Sequence, residues 1–147
     1  MKASPARIEL EVARVAVEHG ARVRFTFPVT GGSMVPTLVS GMRVTVETVP
    51  PESLAPGDIV CWFNPSCGPD RKVVHRLVRT ARGDGGCLIL ITRGDARRAE
   101  DPPVPADCII GRIVKVHPPR LAYKARRFVG SLAKAALALA RHAFRRR

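Results

Sequence analysis

Gly31-Gly32-Ser33-Met34-Val35-Pro36-Thr37 is the stretch on which the reading of this chain turns. Paired glycines open backbone conformations closed to other residues and let a second segment come close. Pro36 fixes its own φ and pushes Val35 towards an extended backbone. Such a loop holds a serine hydroxyl at the end of a strand, where a substrate can meet it, although an isolated Gly-Gly-Ser is ordinarily just a turn. Its flanks alternate in strand fashion, with Val23, Phe25 and Phe27 before it and Met42, Val44 and Val46 after it.

Outward from that loop, alternation or β-branched enrichment predicts strands at 22–28, 42–49, 58–63, 72–79, 86–93 and 108–116. Pro50-Pro51, Pro56-Gly57-Asp58, Asn64-Pro65 to Gly68-Pro69, Gly83 to Gly86, and Asp101-Pro102-Pro103 with Pro105 punctuate them. Ser4-Pro5 reads as a helix start and His19-Gly20 as a helix end, which places a helix over 5–19. Ile8, Val12 and Val15 would share its apolar face. From Leu121 to Phe144 a second amphipathic helix is expected, with Phe128, Leu132 and Leu139 on one face and Lys124, Arg127, Lys134 and Arg141 opposite. The expectation is a mainly β, antiparallel domain over 22–117, an N-terminal helix in 1–21 and a basic amphipathic C-terminal helix in 118–147.

At 147 residues the chain is long enough to bury a core without disulfides or metal. Its net charge of +13 is unevenly spread. Nine of the 25 basic residues and none of the 12 acidic ones fall in 120–147, which leaves 16 basic against 12 acidic elsewhere. That makes a mildly basic domain with a basic appendage at 121–147, whose helix either packs on the domain or lies on an anionic membrane surface. It argues against a nucleic-acid partner, because aromatic residues for base stacking make up only 5%. No run approaches the ~20 apolar residues of a membrane span, and the charged N-terminus lacks the apolar core of a secretory signal. The expected location is therefore cytoplasmic or peripheral to a membrane. Cys61, Cys67, Cys87 and Cys108 show no metal-ligand spacing, and reduced structural thiols are expected.

A serine hydroxyl needs a base to take its proton, and the base needs a third group to orient it. Of four histidines, only His75 lies within an expected strand, on the face of Val73 and Leu77, with Lys72 pointing the other way. After the strand ending at Thr92, a loop supplies three carboxylates, Asp95, Glu100 and Asp101. Either aspartate could hold the imidazole, or they could serve turn formation and charge balance against Arg93, Arg97 and Arg98.

In order and approximate spacing, the Ser33 loop, Pro56-Gly57-Asp58-Ile59-Val60, Val74-His75-Arg76-Leu77-Val78, Gly94-Asp95 with Asp101, and Ile110-Gly111-Arg112-Ile113-Val114 resemble the type I signal peptidases over roughly residues 23–116. The resemblance implies the antiparallel β catalytic fold shared with LexA-like proteins. It also implies a serine endopeptidase that removes signal or leader peptides and needs no metal or organic cofactor. Histidine in place of lysine is similar to the endoplasmic-reticulum, archaeal and sporulation-type branch. Carried over, Ser33 is the nucleophile, His75 the general base and Asp101 the triad acid, while Asp95 shapes the site. Gly32, Ser33, Met34 and Pro36 border the oxyanion and substrate position. The implied substrate is a peptide or preprotein with small residues near the cut. Two departures stand out: a polar helix replaces the family's N-terminal span, and Gly31 replaces a small hydroxyl residue that helps to hold the oxyanion. The competing readings are an inactive β-domain binding module and a LexA-like protein that cleaves only itself.

Overall fold

A computed structural model of the chain describes residues 4–64, 66 and 71–119. Met1–His117 forms one compact unit and Pro118–Arg147 a second. The expected C-terminal helix lies outside the described residues.

The first unit is mainly β. Its strands are β1 (Arg24–Pro28), β2 (Arg43–Glu47), β3 (Ile59–Phe63), β4 (Lys72–Arg82), β5 (Leu88–Arg93), β6 (Val104–Pro105) and β7 (Ile109–His117). They form one seven-stranded sheet in the order β1-β2-β7-β3-β4-β5-β6, with every neighbouring pair antiparallel. The six strands expected from alternation are present, and β4 continues to Arg82. β6 has no counterpart among them. Its two residues lie in a proline-rich stretch that reads as a turn, yet they pair with Ile89 and Leu90. Pro105 is tolerated there because β6 is an edge strand, where a missing N–H breaks no ladder.

The helix α1 (Pro5–Glu18) starts and stops where the sequence signals say. Ser4 Oγ accepts from the Arg7 N–H at 3.3 Å and Pro5 follows at the first helical position. At the other end, Gly20 adopts φ +64°, its N–H donates to Val17 O, and the Ala21 N–H donates to Ala16 O. This double bond pattern satisfies carbonyls that would otherwise lack partners. The buried face of α1 differs from expectation. Ala6, Leu10, Ala13 and Ala16 are buried, whereas Ile8 and Val15 are 51% and 54% exposed and Val12 is exposed too. Three alanines on one stripe let the helix lie close to the sheet, and that proximity selects the small-residue face over the branched one. Leu10, the one large residue on it, packs with Val46, Cys61 and Ile110 and contributes roughly 1.5–3 kcal/mol.

The core is distributed along the sheet. Leu77, Leu90, Val104 and Trp62 pack with Val49, Leu54, Val60 and Ile109. Met34, Leu38 and Val44 form a smaller cluster under the Gly31–Thr37 loop. Leu38 is fully buried, so the loop is pinned at its far end by an apolar anchor. Glu47, at the end of β2, is the one buried carboxylate among the described residues. Arg24 at 2.7 Å and Arg22 at 3.5 Å hold it below the usual carboxylate range.

Two strand edges are left open beside the Ser33 loop. β3 covers one edge of β4 from Lys72 to Arg76, and β5 joins the other edge only from Arg76 onward. Lys72–His75 therefore face no described strand on that second side. Among the described residues β1 is a terminal strand, paired on one edge alone.

Candidate active site

Ser33 sits on the loop between β1 and β2. Gly31 takes φ +84°, a conformation that side-chain-bearing residues rarely adopt, and it turns the chain away from the end of β1. The Val35–Pro36 bond is cis. Met34 points into the core and the Leu38 N–H donates to Met34 O at 2.8 Å, which leaves Ser33 at the rim, half-buried.

His75 Nε2 lies 2.9 Å from Ser33 Oγ, and His75 Nδ1 lies 2.6 Å from Asp101 Oδ2. Four features fix this line of three groups. His75 is 8% exposed in the middle of β4, so its ring cannot swing out. Thr92 Oγ1 donates to Asp101 Oδ2 at 2.6 Å. The Asp101 N–H donates to Thr92 O at 2.8 Å, which ties the start of the proline-rich segment to the end of β5. The Ala96 N–H donates to Ser33 O at 2.9 Å, which clamps the serine loop to the 94–97 turn. With the carboxylate accepting from Nδ1–H, Nε2 is left as the acceptor facing the hydroxyl. Among the described residues no carbonyl accepts the Ser33 N–H, so that donor is available beside the hydroxyl.

The two aspartates separate cleanly. Asp95 does not reach His75. It takes a two-pronged ion pair from Arg76, Nε to Oδ1 at 2.9 Å and Nη2 to Oδ2 at 2.8 Å, and a hydrogen bond from Thr37 Oγ1. Adjacent strand residues send their side chains opposite ways, so His75 meets Asp101 while Arg76 meets Asp95. Arg76 also donates to Gly57 O at 2.8 Å, joining the 94–97 turn, the Thr37 loop and the turn before β3. The direct ion pairs of these loop carboxylates among the described residues reach β4, Asp95 to Arg76 and Glu100 to Arg79, while Arg93 adds a weaker through-space pull on Asp95. Forked guanidinium–carboxylate geometry favours the Arg76–Asp95 pair over neighbours along the turn.

Of the remaining sequence candidates, Met34 borders the groove beside Ser33, while Gly32 and Pro36 are exposed and do not line it. His19 bonds Val15 O and His117 bonds Thr45, so neither is bonded to Ser33. Lys72, the lysine of β4, is committed elsewhere: its Nζ lies 2.6 Å from Glu9 Oε2 and 4.0 Å from the Phe27 ring centre. Cys61, Cys87 and Cys108 are free thiols; burial pushes the Cys61 thiol up to about 12, which keeps it unreactive. Among the described residues no group of His, Cys, Asp or Glu is arranged to hold a metal ion.

The roles of Gly94, Thr92 and Arg76 are not legible in the sequence. A Cβ on Gly94 would lie 2.5 Å from Ser33 O and 3.1 Å from His75 Nε2, so only glycine lets this turn touch both groups. The glycine itself is visible beside Asp95, but the backbone it must clear belongs to a segment far earlier in the chain.

The Asp95 link carries a prediction. The Arg76 guanidinium, followed by the Thr37 hydroxyl, holds the Asp95 carboxyl below the usual range against an opposing effect of burial. A carboxyl depressed on folding contributes stability above its unfolded pKa of about 3.9, and that stability is lost as pH falls through the folded value. Asp95→Asn should therefore lower stability at pH 7 by about 1–2 kcal/mol, given the partial exposure of Arg76. It should also flatten the fall in Tm between about pH 5 and pH 2. Thermal melts across that range check both.

No protein-family model matches the chain, and no curated protein matches it.

Proposed function

We propose that this chain is a serine endopeptidase of the signal-peptidase type, which removes signal or leader peptides through a Ser33–His75–Asp101 site. The observation that carries the reading is the unbroken contact from Ser33 Oγ through both ring nitrogens of His75 to Asp101. In this reading His75 takes the Ser33 proton as Oγ attacks the peptide carbonyl, and the Ser33 N–H holds the developing oxyanion. His75 then gives that proton to the leaving amine as the C–N bond breaks, and a water activated by His75 releases the acyl group. Asp101 keeps the proton on Nδ1 and stabilises the imidazolium. Asp95 acts at one remove, by fixing the turn that clamps Ser33.

A groove of about 340 Å³ beside Ser33, walled by Phe27, Val29, Met34, Val73 and Val74, supports an extended substrate. It runs between the free edge of Lys72–His75 and the end of β1, where a peptide can hydrogen-bond as an added strand. The seven-stranded sheet would then be the signal-peptidase/LexA-like catalytic fold. A peptide with Ala at the first and third positions before the cut tests the reading: incubation with the protein should give a single internal cleavage by mass spectrometry. An intact peptide alongside properly folded protein contradicts it.

Gly94→Ala should lower turnover about 10²-fold, because the backbone oxygen of Ser33 must move away from the added methyl and carry the serine with it. Steady-state kinetics on the same peptide measure the loss, with a near-UV spectrum to confirm packing.

Among the described residues no helix is long and apolar enough to cross a membrane. On the proposed reading the basic stretch 121–147 supplies attachment to an anionic membrane surface, at about 1 kcal/mol for each basic residue near it. The full chain should sediment with phosphatidylserine-containing vesicles and not with neutral ones, and a chain ending at Arg120 should remain in the supernatant. Equal binding to both vesicle types contradicts an electrostatic attachment.

A further inference from the structure

The groove beside Ser33 carries charge of one sign. Among its described lining residues the charged side chains are Arg71, Lys72 and Arg97, and none is a carboxylate. Lys72 adds little net charge, because Glu9 is 2.6 Å from its ammonium. Arg97 is different. It is exposed, and the three carboxylates of its own loop are taken by others, Asp95 by Arg76, Glu100 by Arg79 and Asp101 by His75.

The position of Arg97 is set by the backbone. Its N–H donates to Gly94 O at 2.8 Å. The point above Gly94 where a Cβ would lie is 3.1 Å from Arg97 Cγ and 3.1 Å from His75 Nε2. The Arg97 stem and the catalytic ring nitrogen therefore border the same small space. The guanidinium lies three bonds beyond Cγ, within reach of whatever residue flanks the group that His75 protonates. In the peptidase reaction that group is the leaving amine. Arg97 thus faces the first residue on the leaving side of the cut. Arg71 lies four residues before His75, about 13 Å along an extended chain, towards the other end of the groove.

We infer that the groove selects peptides with an acidic residue immediately after the scissile bond, and that Arg97 is the specificity-determining residue. This rests on the peptidase reading and sharpens it, from any peptide with small residues before the cut to one that also presents a carboxylate after it. A planar guanidinium matches a carboxylate with two parallel hydrogen bonds. Arg97 pairs with no carboxylate among the described residues, so a substrate carboxylate displaces no such partner.

Two peptides that differ only by Ala or Asp at the first residue after the cut test the inference. The wild-type protein should cleave the Asp peptide with kcat/KM about tenfold higher, mainly through KM, and the ratio should shrink as ionic strength rises. In Arg97→Gln the ratio should fall to near one. In Arg97→Glu it should invert, with the Ala peptide preferred over the Asp peptide. Each ratio is measured within one variant, so a general loss of activity does not obscure it. Equal cleavage of the two peptides by the wild-type protein overturns the inference and leaves the peptidase reading standing. So does a preference that survives in Arg97→Gln and disappears only in Arg71→Gln. Cleavage of neither peptide overturns the peptidase reading, and the inference with it.

Discussion

Ser33→Ala and His75→Ala are each expected to lower kcat/KM for peptide cleavage by about 10⁴-fold or more while leaving the fold intact. The loss follows from the 2.9 Å contact between Oγ and Nε2. Alanine at 33 removes the atom that attacks, and alanine at 75 removes the only described group positioned to take its proton. Two parts of one proton-transfer step cannot fail independently, so the double variant should be little worse than either single one. Ser33 is half-buried at the end of a loop pinned by Leu38, and its loss costs little stability. His75 is more deeply set, but its alanine variant keeps the β3–β4 ladder, whose bonds are main-chain. Full activity in His75→Ala would sink the assignment. Lys72, at the start of β4 and bound to Glu9, would then have to break that pair to act.

Asp101→Asn should come next, with a loss of roughly 10³–10⁴-fold in kcat and little change in KM. An amide beside Nδ1 can donate where the carboxylate only accepts. It can thereby stabilise the tautomer with Nε2–H, which cannot take a proton from Ser33. The bond from Thr92 Oγ1 to Asp101 helps to set this outcome, since it anchors the side chain whichever group occupies the position. Comparison with Asp95→Asn separates the two acids: the first should change kinetics far more than Tm, the second Tm more than kinetics. The reverse pattern would assign the orienting role to Asp95 in solution.

Much of this fold is readable in one dimension because it depends on local pattern. Alternation at Val44 and Val46 and the β-branched-rich run Leu88–Thr92 mark strands, and Ser4-Pro5 and His19-Gly20 mark the ends of α1. What local pattern does not encode is which strands meet. β7 inserts between β2 and β3, and nothing in Ile109–His117 names those neighbours. The inward face of α1 departs from its pattern for a related reason. Ile8, Val12 and Val15 are the more hydrophobic stripe, but the sheet accepts the helix at a distance that suits alanine.

The candidate site divides in the same way. Ser33 and His75 are visible as a glycine-flanked hydroxyl and a lone in-strand imidazole. The loop after β5 announces its carboxylates without saying which one faces which ring. That choice follows from the one-residue offset between His75 and Arg76 on β4, and from the Thr92–Asp101 link that folds the segment back onto the end of β5. Arg97, the residue on which the proposed substrate preference depends, carries no sequence signal at all; its meaning comes from Gly94.

The claim that Ser33 is an activated nucleophile is tested most directly with a phosphonylating serine probe on the full chain, read by intact-mass and peptide mass spectrometry. A single adduct on Ser33 is expected, absent in Ser33→Ala and formed far more slowly in His75→Ala. A folded wild-type protein that takes up no probe, or that labels equally well in Ser33→Ala, would contradict that claim.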